Sequence, residues 1–230
     1  MRKLLLLAVG GLLLLAAPPS YADWDPGMPA KWVQLPDLDL TGIDINASDA
    51  PDLYVLADDF ECTQTGPLTE IHIWGSWLYD QYPPGGPLNV GFILTIYSDI
   101  PAAESPTGYS MPGAPLWEYV VDPGSFNVRP YAEGIAEGWM NPPEEYIPPP
   151  ADTVCWLYKF FVDPADAFVQ VGQPTHPVVY WLDLKAQQVV QAPGYTEATH
   201  VGRSLRHRGC HLTVNDGGDG IRVGVEANDY

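Results

Sequence analysis

The sequence predicts an all-β protein: an antiparallel β-sandwich, jelly-roll-like, folded as a single domain. Three features carry that expectation. After residue 22 no window of 11–18 residues repeats its apolar residues at the 3.6 period of a helix. The chain holds 25 prolines and 22 glycines, which leaves few uninterrupted stretches where a helix of ordinary length fits. Short apolar runs with period-2 alternation recur between clusters of Gly, Pro, Asn and Asp, the pattern of sandwich strands and their turns.

The strands follow in order. Residues 53–62 form the first clear run, and a turn at Gly66 and Pro67 leads into 68–77. In that second run Ile71, Ile73 and Trp77 share one face, with Glu70, His72 and Trp74 on the other. Residues 88–98 are apolar on both sides and read as a central strand. Residues 116–121 and 125–131 flank a hairpin-like turn at Asp122, Pro123 and Gly124. Residues 155–162 are rich in aromatics, and 178–185 alternate Tyr180, Leu182 and Leu184 against Trp181, Asp183 and Lys185. Between Met140 and Asp152 lie five prolines and no strand pattern, so this stretch is expected to be a long surface loop. Aromatic strands continue past it, which favours one domain over two small ones split there.

The N-terminus predicts export. Arg2 and Lys3 precede fourteen residues of apolar run, Leu4 to Ala17, and Ser20 and Ala22 supply small residues at a cleavage site. The run is shorter than the roughly 20 residues of a membrane span, so residues 1–22 are expected to be a removed signal peptide and the product secreted or extracytoplasmic, with no membrane span. Of 230 residues, 208 then remain, and losing Arg2 and Lys3 takes the net charge from −19 to −21. Such acidity opposes nucleic acid and anionic lipid. The sandwich domain is expected over 23–190. Residues 191–230 stand apart: Arg203, Arg206, Arg208 and Arg222 are four of the ten basic residues, and alternation fades. Their composition is that of a poorly ordered tail or a divergent end of the reading frame.

Several residues are candidates for chemistry. Export permits a disulfide; Cys62 ends one strand and Cys155 begins another, so they are the candidate pair, with two buried thiols as the alternative and Cys210 left over. Asp58 and Asp59 are the candidate metal residues, for Ca²⁺ held at a sandwich edge with a loop carbonyl. They alternate in a strand, however, and a turn cap explains them as well. The acidic loop with Asp37, Asp39, Asp44, Asp49 and Asp52 has the same two readings. Residues 215–226 match a calcium loop only at Asp219, Gly220 and Glu226, with no flanking helices, and read as a glycine-rich turn. His207, Cys210 and His211 fall short of the four spaced ligands of structural zinc. No cofactor is otherwise expected. No nucleophile elbow or phosphate-binding glycine loop occurs. The chain holds 8 Trp and 13 Tyr, and Trp74, Tyr97 and Trp181 fall on the less apolar faces of their strands. Exposed rings there would make a platform for sugar rings; buried, they are ordinary core.

The string ADDFECTQTGPLTEIHIWGSW at residues 57–77, with Tyr97 to Pro101, Pro115 to Trp117, Gly138 and Trp139, and Tyr180 to Leu184, resembles a family of uncharacterised secreted bacterial proteins that carry a domain of unknown function. The resemblance spans most of residues 30–186. It implies an exported β-sandwich, often with a C-terminal surface-sorting segment, which this chain does not show. It implies no activity and no catalytic residues. The leading functional expectation is therefore a secreted, non-enzymatic module that binds extracellular glycan or surface components. The alternatives are a polysaccharide hydrolase with two carboxylates across a cleft and a structural envelope component.

Overall fold

The computed structural model describes residues 33, 35–49, 56–141 and 145–187, with the backbone of three further strands between 201 and 224. Apart from one 3₁₀ turn at Leu78–Asp80, every regular element among the described residues is a strand. In chain order these are β1 Ile43–Asn46, β2 Ala57–Cys62, β3 Gly66–Pro67, β4 Glu70–Trp77, β5 Gly91–Ile100, β6 Met111–Val121, β7 Asn127–Asn141, β8 Glu145–Phe161, β9 Val169–Gln170, β10 Val178–Gln187, β11 Val201–Arg206, β12 Gly209–Asn215 and β13 Ile221–Gly224. The last three fall within the segment that composition set apart.

One sheet has the order β2-β10-β5-β6 and is antiparallel throughout. The other has the order β1-β7-β8-β4-β11-β12-β13, and β1 also pairs with β11. That extra pairing closes β1, β7, β8, β4 and β11 into a five-stranded ring. Within the ring β1 runs parallel to β7, a departure from the antiparallel rule. Strands β3 and β9 form a two-stranded ribbon.

The alternation of β4 is what joins these layers. Ile71, Ile73 and Trp77 pack into the main core with Phe60 of β2, Phe92, Leu94 and Ile96 of β5, Tyr158 and Phe160 of β8, and Leu182 and Leu184 of β10. Trp74, from the opposite face, packs into a second, smaller core with Cys155 and Leu157. All eight residues of β4 are buried. The main core is dense in edge-to-face aromatics: Phe92 meets Phe126, Tyr158 and Phe160 at centroid distances of 5.2–5.3 Å. The Trp77 indole N–H finds its acceptor in the Tyr158 hydroxyl at 2.9 Å.

Two expectations are corrected. The stretch from Met140 to Asp152 is not a long loop: β7 continues to Asn141 and β8 begins at Glu145, with Trp139 opposite Ile147 and Glu137 opposite Asp152. Between those pairs β7 advances two residues while β8 advances five. Pro148, Pro149 and Pro150 occupy the excess, where the missing amide hydrogens break no ladder bond. Nor does a disulfide join Cys62 and Cys155. The Cys62 thiol lies in the main core and donates to the Gln64 carbonyl at 3.0 Å, whereas Cys155 points into the second core. The wall formed by β4 and β8 separates them.

Phe92→Ala should lower unfolding free energy by about 3–5 kcal/mol, because it empties the centre of the aromatic cluster, while Val120→Ala on the exposed face of β6 should change it by less than about 0.5 kcal/mol. Urea titration of both variants checks this, and equal losses would contradict the placement of Phe92.

Candidate functional site

Asp44 of β1, Glu137 of β7 and Asp152 of β8 converge from three adjacent strands of the ring. They are 0%, 0% and 1% exposed, and one carboxylate oxygen from each lies within 4.8 Å of the others. Ser76, on β4, faces Asp44 and Asp152 and is also fully buried. Four neighbouring strands thus each place one oxygen-bearing side chain in the same enclosed space.

Local structure explains the convergence. In β1 the isoleucines Ile43 and Ile45 are half-buried while Asp44 and Asn46 are buried, so the strand turns its polar face inward. Its entry is set by an Asx-type turn, in which Asp37 accepts from the Asp39 amide and the Thr41 hydroxyl, both at 3.1 Å. Gly42 follows; a Cβ there would collide with the Asp37 carbonyl and press on Glu137 Oε1. The Gly138 amide donates to the Gly42 carbonyl at 2.9 Å. At the far end of β1, Asn141 Oδ1 accepts from both Asn46 Nδ2, at 3.0 Å, and Trp139 Nε1, at 2.9 Å. Asp152 follows the proline bulge, a device that re-aims side chains next to a site. Its neighbour Thr153 is held by Asp80, whose carboxylate accepts from the Thr153 amide at 3.1 Å and from its hydroxyl at 2.6 Å. Asp80 and Tyr79 both adopt positive φ, 54° and 55°. Non-glycine residues keep that conformation only where surrounding contacts over-determine it.

The enclosure shapes the electrostatics. Burial, then the charges of Asp152 and Glu137, push the Asp44 carboxyl well above the ordinary carboxylate range, against a lowering effect of Ser76. Burial lifts Asp152 to about 6, with Ser76 and Asp44 opposing and Asp80 adding to the rise. Burial, followed by the same three carboxylates, drives the Cys155 thiol well above its usual range. It therefore stays protonated and is a poor nucleophile. Oxygen-only donors suit a hard cation, and among the described residues this is the group of three placed to hold one.

The residues singled out in the sequence are distributed differently. Trp74 is 0% exposed and meets Tyr131 edge-on at 5.6 Å, so it is no surface platform: the less apolar face of β4 lies inside the ring. Asp58 and Asp59 do not meet on one ligand, because β2 is unbent. Asp58 is buried opposite Leu182, and half-buried Asp59 sits opposite Trp181 on the other face. Tyr97 and Trp181 do come together as a direct cross-strand pair. They belong to a row Asp59–Trp181–Tyr97–Pro115 across β2, β10, β5 and β6. Trp181 is 8% exposed and its indole N–H donates to Asp99 Oδ1 at 2.8 Å. Tyr97 is half-buried and Pro115 exposed. Asp99 also accepts from the Ser110 hydroxyl at 2.5 Å. Burial, then the Asp99 charge, raises Asp59 to about 6. His207, Cys210, His211 and the side chains of 215–226 lie outside the described residues. The buried carboxylates are absent from the sequence-based candidates except for Asp44 in its acidic loop. Their signal was the polar-inward alternation of residues 43–46 and the proline run before Asp152.

A groove of about 410 Å³ opens elsewhere, lined by Leu88, Phe126, Asn127, Arg129, Leu157 and Lys159 among others, with no carboxylate.

A family model described as Domain of unknown function (DUF7901) matches residues 30–208. No curated protein and no solved structure matches the chain.

Asp59 holds its proton more tightly folded than unfolded, so its contribution to stability is complete below its ordinary 3.8 and is lost as pH rises through about 6. In chelator-treated buffer the parent should lose more stability than Asp59→Asn across that window. Parallel urea midpoints for the two proteins would refute the assignment.

Proposed function

We propose that this chain, which belongs to the DUF7901 family, works outside the cytoplasm as a non-catalytic β-sandwich binding module for carbohydrate. The observation that carries the reading is the row Asp59–Trp181–Tyr97–Pro115 on the face of the four-stranded sheet turned away from the main core, where Trp181 is buried, Asp59 and Tyr97 are half-buried and Pro115 is exposed, with Asp99 beside it. Ring faces offer apolar area to the C–H faces of a sugar, and carboxylates accept hydrogen bonds from its hydroxyls. Trp181 acts here as a floor that orients Asp99, and Tyr97 as the more accessible ring. Export through residues 1–22 brings such a face to extracellular glycan or surface components.

The non-catalytic part of the reading draws on the sealed position of Asp44, Glu137 and Asp152, which keeps these carboxylates out of reach of a substrate. Glycoside hydrolysis needs two carboxylates that reach substrate across a cleft. A second reading, polysaccharide hydrolysis, draws on Asp59, which keeps a proton to about pH 6 beside Asp99. A carboxyl that keeps its proton into that range is the kind a general acid requires.

Pull-down on insoluble polysaccharides and a glycan array test the first reading. Tyr97→Ala and Asp99→Asn should each weaken binding roughly tenfold, equivalent to ~1.4 kcal/mol. Undiminished binding in both variants, or no binding by the parent, overturns it. Release of reducing ends by the parent that disappears in Asp59→Asn would favour hydrolysis instead.

A further inference from the structure

We propose that Asp44, Glu137, Asp152 and Ser76 form a calcium site inside the five-stranded ring, separate from the outer face assigned to carbohydrate. Oxygen ligands of one Ca²⁺ sit 2.3–2.6 Å from the ion, so two of them lie at most about 5.2 Å apart. The three carboxylate oxygens, within 4.8 Å of one another, fit that span without rearrangement of the strands. Bidentate carboxylates plus the Ser76 hydroxyl reach the six to eight oxygens that Ca²⁺ prefers.

The second observation lies in the polar atoms themselves. Among the described residues, Ser76 Oγ, both oxygens of Asp44 and both oxygens of Asp152 are buried with no partner at proper hydrogen-bond geometry; they are near enough to one another to interact, but they have only each other. Buried polar atoms in native proteins are almost always satisfied, and an unsatisfied group calls for an explanation such as an ion. Here five such atoms, on three residues, face one another. A divalent cation satisfies all of them at once, which no single hydrogen-bond donor does.

The choice of ion follows from the donors and the enclosure. Carboxylate and hydroxyl oxygens select a hard cation over zinc or copper. Mg²⁺ demands near-octahedral geometry and keeps several waters, whereas these residues are closed to solvent. The supports are rigid: the Gly42 approach, the Asn46–Asn141–Trp139 network and the Asp80 clamp on Thr153 fix three of the strands before any ion arrives. Calcium would tie the short β1 to β7 and β8 and so lock the ring shut. Affinities of about 10⁻⁴–10⁻³ M are typical of extracellular modules that bind Ca²⁺, which fits an exported chain.

The full chain, stripped with chelator, is melted with CaCl₂ or MgCl₂ added, and bound calcium is counted by equilibrium dialysis. At about a hundredfold excess over Kd, calcium should raise Tm by roughly 5–10 °C, with one ion bound and a smaller shift from magnesium. Asp44→Asn and Glu137→Gln should abolish the shift, Ser76→Ala should weaken it, and Asp99→Asn on the carbohydrate face should leave it intact. A parent that binds no calcium at dialysis overturns the proposal even where a variant fails to fold. So does a calcium shift that survives in folded Asp44→Asn.

Discussion

Strand β4 is buried along its whole length, on both faces, and the other layers are arranged around it. A strand with one wet face needs one core; a strand with two dry faces needs two. Ile71, Ile73 and Trp77 take the sandwich core, and Trp74 and Ser76 face the interior of the ring. The closure of β1 onto β11 is the structural answer to that demand. It covers the second face and removes the open edges that β1 would otherwise present.

Filling the ring with carboxylates is a costly way to cover a strand, since each buried ionised group loses its hydration. Asp44 responds by holding its proton far above the ordinary range, and Asp152 partly does the same. The surroundings are built to keep the acids in place: a glycine where no Cβ fits, a proline bulge that turns Asp152 inward, and a clamp from a residue with positive φ. Strain and buried charge gathered at one point are how functional sites differ from ordinary cores. The neighbouring Cys155 thiol is a bystander, silenced by burial and by the same charges.

The outer face of the four-stranded sheet is organised by a different logic. Cross-strand register sets Asp59, Trp181, Tyr97 and Pro115 side by side, and the Trp181–Asp99 hydrogen bond couples ring to carboxylate. Interior and exterior sites share no residue. Substitutions in the ring and on this sheet face should therefore act independently, the situation in which mutational effects add.

Local pattern was enough for the class of fold and for much of the chain's strand content. The runs read at 53–62, 68–77, 88–98 and 178–185 match the strands Ala57–Cys62, Glu70–Trp77, Gly91–Ile100 and Val178–Gln187 to within a few residues at each end, because alternation is a property of the backbone itself. The opposition of Ile71 and Ile73 to Trp74, and of Asp58 to Asp59, was legible for the same reason. What alternation leaves open is which face is wet. Trp74 and Trp181 looked equally eligible for the surface, and both are buried: ring closure covers the first, while the second lies at 8% exposure beside half-buried Tyr97 on the face of the four-stranded sheet turned away from the main core. The proline-rich stretch before Asp152 read as a loop because proline opposes a regular ladder, yet a bulge absorbs all three prolines without ending the strand. Asp44, Glu137 and Asp152 are far apart in sequence and carry no motif. Their meeting depends on a parallel β1–β7 pair and a displaced register, both long-range pairings that composition and spacing do not encode.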